Sequence, residues 1–262
     1  MENVTDRSSN PFGMVPPCRR FVPGYGDANA DFHVIGDHPG IHGGADAGAA
    51  SAASADRGED PAGASPLPPD RSGAEGEDES GPESPPDEGA VGYPFTNAAG
   101  MGLQRALVEA GLLDAAGGPP TVESTFLSYL HACVPDEHGN GNEHGHEHGP
   151  TATDYDDLER FFDAELRAIA AHVLLPVGRR AIRHVLAEYT AEPVDRIEPE
   201  SLHATEVRGG GWLVVPVAEP AGWTDADRRA LVEALVRLRR TDFRRESDLG
   251  RFLPGGDPYY VR

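Results

Sequence analysis

Hydrophobic and polar positions along this chain of 262 residues alternate between two kinds of apolar segment. The first kind is short, continuous and bounded by glycine or proline. It comprises Phe32 to Ile35 ended by Gly36, Phe126 to Val134 closed by Pro135, Val173 to Val177, and Trp212 to Val217. Apolar runs of this length, rich in β-branched and aromatic residues, read as strands buried on both faces of a parallel sheet. The second kind repeats at helical spacing. Leu103, Leu107 and Leu112 mark a helix from about Ala98 to Leu113, where Arg105 and Glu109 can pair across one turn. Leu158 to Ala171 has the period of an amphipathic helix, and Ile182, Val185 and Leu186 mark another. Thr224 is a good N-cap for a last helix carrying Leu231, Leu235 and Leu238. Four strands alternating with helices predict an α/β fold, a three-layer sandwich around a central four-stranded, mainly parallel sheet.

Two segments break the pattern. From Ala45 to Ala90 nearly every residue is Ala, Gly, Ser, Pro, Asp or Glu, with twelve acids against two Arg and Leu67 as the only large aliphatic. Such a stretch cannot bury enough apolar surface to offset ordering, so a disordered acidic insert is expected at 45–90 within one domain spanning 1–262. The second segment, 136–150, is a His- and Gly-rich loop. His144, His146 and His148 can offer imidazoles to a transition metal, but their glycine-rich setting reads better as a solvated loop, and no metal site is expected.

Charge changes the setting more than the fold. All 22 basic residues are Arg, against 44 acids and a net charge of -22. A lysine-free, strongly acidic chain fits the cytosol of a salt-in halophile, where molar salt screens charges over about 3 Å. Eight Arg lie between Arg228 and Arg251, either as a patch that meets phosphates or as a helix face and tail laced with surface ion pairs. There is no leading apolar run and no apolar stretch of about 18 residues, so a cytoplasmic protein without membrane contact is expected. Cys18 and Cys133 are too few for a disulfide scaffold and are expected to be reduced and buried.

The densest chemistry follows the first strand. Gly36-Asp37-His38-Pro39-Gly40 puts a carboxylate and an imidazole at the carboxyl end of a strand, where open α/β sheets place their ligands. The glycines admit a close approach and Pro39 fixes the turn. Once the insert is set aside, Gly92-Tyr93-Pro94-Phe95 supplies an aromatic ring. This is the outline of a site for a flat ligand, the alternative being a strand-to-loop turn with solvated polar residues. His33, His38 and His42 alternate with glycines and read as ligand-contacting or structural, since no acid or thiol stands at a zinc spacing.

In order along the chain, Gly36-Asp37-His38-Pro39-Gly40, Gly92-Tyr93-Pro94-Phe95, Cys133-Val134-Pro135, Leu175-Pro176-Val177-Gly178 and Val217-Ala218-Glu219-Pro220 resemble the motifs of the uracil-DNA glycosylase superfamily. The look is closest to its iron-sulfur branch. The resemblance implies a monofunctional DNA glycosylase of base excision repair, removing uracil or another deaminated base, with DNA as partner, no obligate protein partner and a monomeric state. Asp37 takes the place of the carboxylate that orients water, Phe95 that of the ring on which the base stacks, and main-chain groups around Gly36 contact the base beside His38. Tyr129, with Ser128 beside it, stands where the branch has an Asn that reads uracil, and one phenol oxygen cannot reproduce a bidentate amide. Glu219 stands where the family has the His of an H-P-S loop. Cys18 and Cys133 fall at two of four cluster-ligand positions, with Phe21 and Leu158 at or near the others, so no iron-sulfur cluster or other cofactor is expected. Tyr129 and Glu219 also suit a non-catalytic member that binds nucleic acid or a nucleotide through the same pocket. A nucleoside hydrolase is a third reading.

Overall fold

A computed structural model describes residues 16–27, 29–44, 89–122, 124–134, 150–190 and 198–244. The acidic insert at 45–88, the His-rich residues 136–149, and Arg245 and Arg251 lie outside the described residues. In chain order the strands and α-helices are β1 Arg20–Phe21, β2 Tyr25–Gly26, β3 Phe32–Gly36, α1 Pro39–His42, β4 Gly89–Ala90, α2 Ala98–Glu109, β5 Leu113–Ala115, β6 Thr121–Val122, β7 Thr125–Tyr129, α3 Ala152–Ile169, β8 Val173–Pro176, α4 Arg179–Tyr189, β9 Val207–Gly209, β10 Trp212–Val214 and α5 Asp225–Leu238.

The central sheet has six strands rather than four, in the order β2-β7-β3-β8-β10-β9. The inner four are parallel and are the four strands that the apolar runs predict. The two additional strands, β2 and β9, are antiparallel edges of two and three residues, too short to carry a periodic pattern. Two further two-stranded pairs, β1 with β4 and β5 with β6, lie outside this sheet. Residues 89–90, at the end of the predicted insert, thus belong to a strand.

Helices cover both faces of the sheet. On one, Leu103 and Leu107 of α2 with Leu231, Leu235 and Leu238 of α5 pack on Val34, Leu127, Leu175 and Leu213. On the other, Phe162 and Leu166 of α3 with Ile182, Val185 and Leu186 of α4 pack on Ile35, Leu174 and Val214. Alternate residues of each strand serve opposite layers, which requires the continuous apolar runs. Helix α3 starts six residues before the predicted Leu158 because Thr151 and Asp154 form a capping box. Thr224 and Asp227 cap α5 in the same way.

Cys18 and Cys133, expected as free thiols, form a disulfide across 115 residues of sequence. It ties the segment before β1 to the chain leaving β7, where Phe21 also bridges Cys133. Composition argues for a redox compartment, but it cannot see two sulfurs brought together by a sheet. Among the described residues no helix is long and apolar enough to cross a membrane.

Candidate base pocket and carboxylate

The carboxyl end of β3 delivers Asp37 at the head of the sheet. Its side chain turns towards α3 and α4 and is only 11 % exposed. The Tyr155 hydroxyl of α3 donates to Asp37 Oδ1, and Arg180 of α4 brings Nε to 3.7 Å of the same oxygen. The Arg180 guanidinium also lies over the Tyr155 ring at 4.1 Å. Burial, then the hydrogen bond to Asp37, push the Tyr155 phenol well above its usual range, so it remains a donor. Asp37 is therefore oriented by two groups from two different helices.

His38, expected to touch a ligand, caps α1 instead. Its Nδ1 accepts from Gly40 N at 3.1 Å, and burial lowers its pKa to about 4, leaving it neutral. His42 is fully buried, and Nδ1 accepts the main-chain N–H of Asp37 at 3.0 Å. That bond assigns the proton to Nε2, which faces Glu219 Oε2 at 3.3 Å.

Phe95 follows Tyr93-Pro94 in a left-handed conformation, φ 60°, rare for a bulky residue. Its carbonyl accepts from Gln104 Nε2 at 2.8 Å and its N–H donates to the Tyr129 hydroxyl at 2.8 Å. Gly100 allows this conformation, since a Cβ there would stand 2.5 Å from the Phe95 carbonyl carbon. The ring is 0 % exposed. Tyr129 and His42 lie against it, with centroids at 5.3 and 5.4 Å, and are themselves parallel within 2°. The Tyr129 hydroxyl also donates to Gly43 O. Gly36 is needed here because a Cβ would meet His42 Nδ1 and the Tyr129 ring at 2.7 Å.

The structure thus gathers Gly36, Asp37, Phe95, Tyr129 and Glu219 around His42. Ser128 is placed elsewhere. Neighbouring residues of a strand face opposite sides, and its Oγ meets His33 Nε2 at 2.7 Å beneath α3. His33 Nε2 is also 3.8 Å from Glu165 Oε1. Both partners converge on one nitrogen while Nδ1 has none, so this buried trio is not a relay of the nucleophilic kind. Tyr155 and Arg180 escaped the sequence reading. Neither lies in a motif, and only α3 and α4 bring them to Asp37.

Four of the eight Arg in the Arg-rich segment make described ion pairs or caps. Arg228 pairs with Glu109, Arg237 with Glu206 at 3.5 Å, and Arg244 with both oxygens of Asp31 at 2.9 and 2.6 Å. Arg239 donates to Ala110 O at 2.8 Å. These guanidiniums hold α5 and its tail to the domain.

Residues 82–239 match the profile of the uracil DNA glycosylase superfamily, and with it the loop of Phe95, the strand of Tyr129 and the loop of Glu219. The chain belongs to the uracil DNA glycosylase superfamily. The match begins beyond Asp37. No curated protein matches the chain.

Proposed function

We propose that this superfamily member acts on DNA as a monofunctional glycosylase for a deaminated base. The observation that carries this reading is Asp37: a nearly buried carboxylate at the end of β3, aligned by Tyr155 and Arg180, beside the loop that holds the Phe95 ring. A flipped nucleotide places its anomeric carbon near this group. As the N-glycosidic bond breaks, the bonding pair leaves with the base and the sugar becomes oxocarbenium-like, which a fixed carboxylate stabilises. Water adds to the anomeric carbon and gives its proton to Asp37. Arg180, half exposed, can turn from Asp37 to a phosphate of the bound strand.

The chemistry proceeds without an iron-sulfur cluster in this reading. Cys18 and Cys133 are bonded to each other, and Phe21 and Leu158 supply no thiolate, so the residues present do not fit a four-cysteine cluster. The protein works as a cytoplasmic monomer at high salt.

A second reading, binding without hydrolysis, is favoured by one observation: the group facing His42 Nε2 at 3.3 Å is Glu219, a carboxylate, which cannot stabilise a leaving base anion. Incubation in molar salt with oligonucleotides carrying uracil, hypoxanthine or xanthine separates the two. Abasic sites formed by wild type and lost in Asp37→Ala support hydrolysis. Retention of the damaged strand without cleavage supports binding alone.

A further inference from the structure

We infer that Cys18 and Cys133 form a thiol–disulfide control site for Asp37 and Phe95, which are held in place when the pair is oxidised and released when it is reduced. The inference rests on the glycosylase reading above and adds how that site is regulated. Disulfides in a cytoplasm are mostly transient and redox-sensing rather than structural staples. This one joins Cys18, partly exposed just before β1, to Cys133, buried just after β7. Strand β1 lies between the two segments that carry the site. On one edge, Val22 N–H donates to Ala132 O and Val134 N–H to Arg20 O, both at 2.9 Å. On the other, β1 pairs with β4, and Phe21 O accepts from Val91 N–H at 2.8 Å.

Each edge leads directly to a site residue. From Ala132 the chain runs back to His131, whose N–H donates to Asp37 O at 3.1 Å and whose ring lies 5.3 Å from that of Tyr155, the donor to Asp37 Oδ1. His131 Nδ1 donates to the carbonyl of Cys133 itself at 3.1 Å. From Val91 the chain runs on through Gly92-Tyr93-Pro94 to Phe95. Yet β1 has only two residues, and of residues 16–22 only Val22 is buried. A strap with so few apolar contacts belongs to the segments that open locally, and the disulfide is what closes it. Reduction needs a dithiol. One of its thiolates attacks the partly exposed Cys18 sulfur, and the Cys133 sulfur leaves as a thiolate and takes up a proton. The second thiol then displaces Cys18 from the mixed disulfide, giving two protein thiols and one oxidised dithiol. The strap keeps its hydrogen bonds and Val22 alone, and the segments of His131 and Phe95 lose their common brace.

The test compares the full chain, oxidised and after dithiothreitol, in molar potassium chloride below the melting temperature of both states. Abasic-site formation in the oligonucleotides above is expected to fall about tenfold or more on reduction, a loss that small misplacements of a catalytic group produce, and to return on reoxidation. Cys18→Ser and Cys133→Ser are expected to work at the reduced level and to ignore the dithiol. The amide resonances of Asp37, Val91, Phe95 and His131 are expected to move between the two states, and those of Val185 and Leu235 to stay. Unchanged activity in folded, reduced protein overturns the inference, as do shifts confined to the neighbours of the two cysteines. Reduced protein that folds at no temperature makes the pair a staple only and overturns it too. If neither state cleaves any oligonucleotide, the hydrolytic reading fails and the resonances alone decide: movement at Asp37 and Phe95 keeps the control site, and stillness there removes it.

Discussion

Glu165 gives the sharpest quantitative expectation in the fold. It lies in α3 beneath the sheet, 3.8 Å from His33 Nε2, at a depth where burial pushes its carboxyl up to about 8. Burial lowers His33 to about 3, so both are neutral at pH 7. A raised acid binds its proton more tightly folded than unfolded. Its penalty is absent below pH 4.5 and accumulates as pH rises to about 8. His33 has the opposite sign: stability is lost as pH falls from 6.5 towards 3. Between pH 4.5 and 6.5 the two slopes cancel, and above 6.5 only the Glu165 limb remains. Glu165→Gln removes that limb and keeps the acid one. The unfolding free energy of the variant should therefore gain on wild type by about 1.4 kcal/mol per pH unit through the Glu165 window, or about 2 kcal/mol between pH 6.5 and 8. Denaturant titrations at fixed molar salt across this range measure the difference. A difference that does not change with pH refutes the buried, protonated state of Glu165.

Tyr129→Phe leaves the Phe95 N–H and the partly exposed Gly43 carbonyl unpaired, and is expected to cost about 2 kcal/mol in the same titration. Reduction of the Cys18–Cys133 bond, or Cys133→Ser, frees a loop of 115 residues in the unfolded chain and should lower stability by about 3 to 5 kcal/mol, read as a shift of the denaturant midpoint at unchanged salt. Arg244→Ala and Arg228→Ala break ion pairs to Asp31 and Glu109, and should leave the salt dependence of DNA binding unchanged. A shallower slope in either variant would restore these residues as phosphate contacts.

What was legible in the sequence follows from the range over which each feature is determined. Strands β3, β7, β8 and β10 are buried on both faces, so their apolar runs are self-announcing, whereas β2 and β9 exist only because a neighbour offers an unpaired edge. Asp37 and Phe95 were marked by glycines and prolines a few residues away. Their partners were not, because Tyr129 meets Phe95 across 34 positions and Tyr155 meets Asp37 across 118. Ser128 is a different case. Strand alternation alone forbids it from sharing a pocket with Tyr129, and its bond to His33 follows that rule. Tyr129 and Glu219, read separately along the chain, belong to one arrangement in space. Glu219 receives His42, His42 lies parallel to Tyr129, and both rings meet Phe95 at a tilt of 36° and 37°. The acid Glu219 is thus matched by an imidazole 177 positions away, two residues after the Gly36–Gly40 motif. Changing Glu219 to His alone would set two imidazoles against each other, so positions 42 and 219 must be altered together.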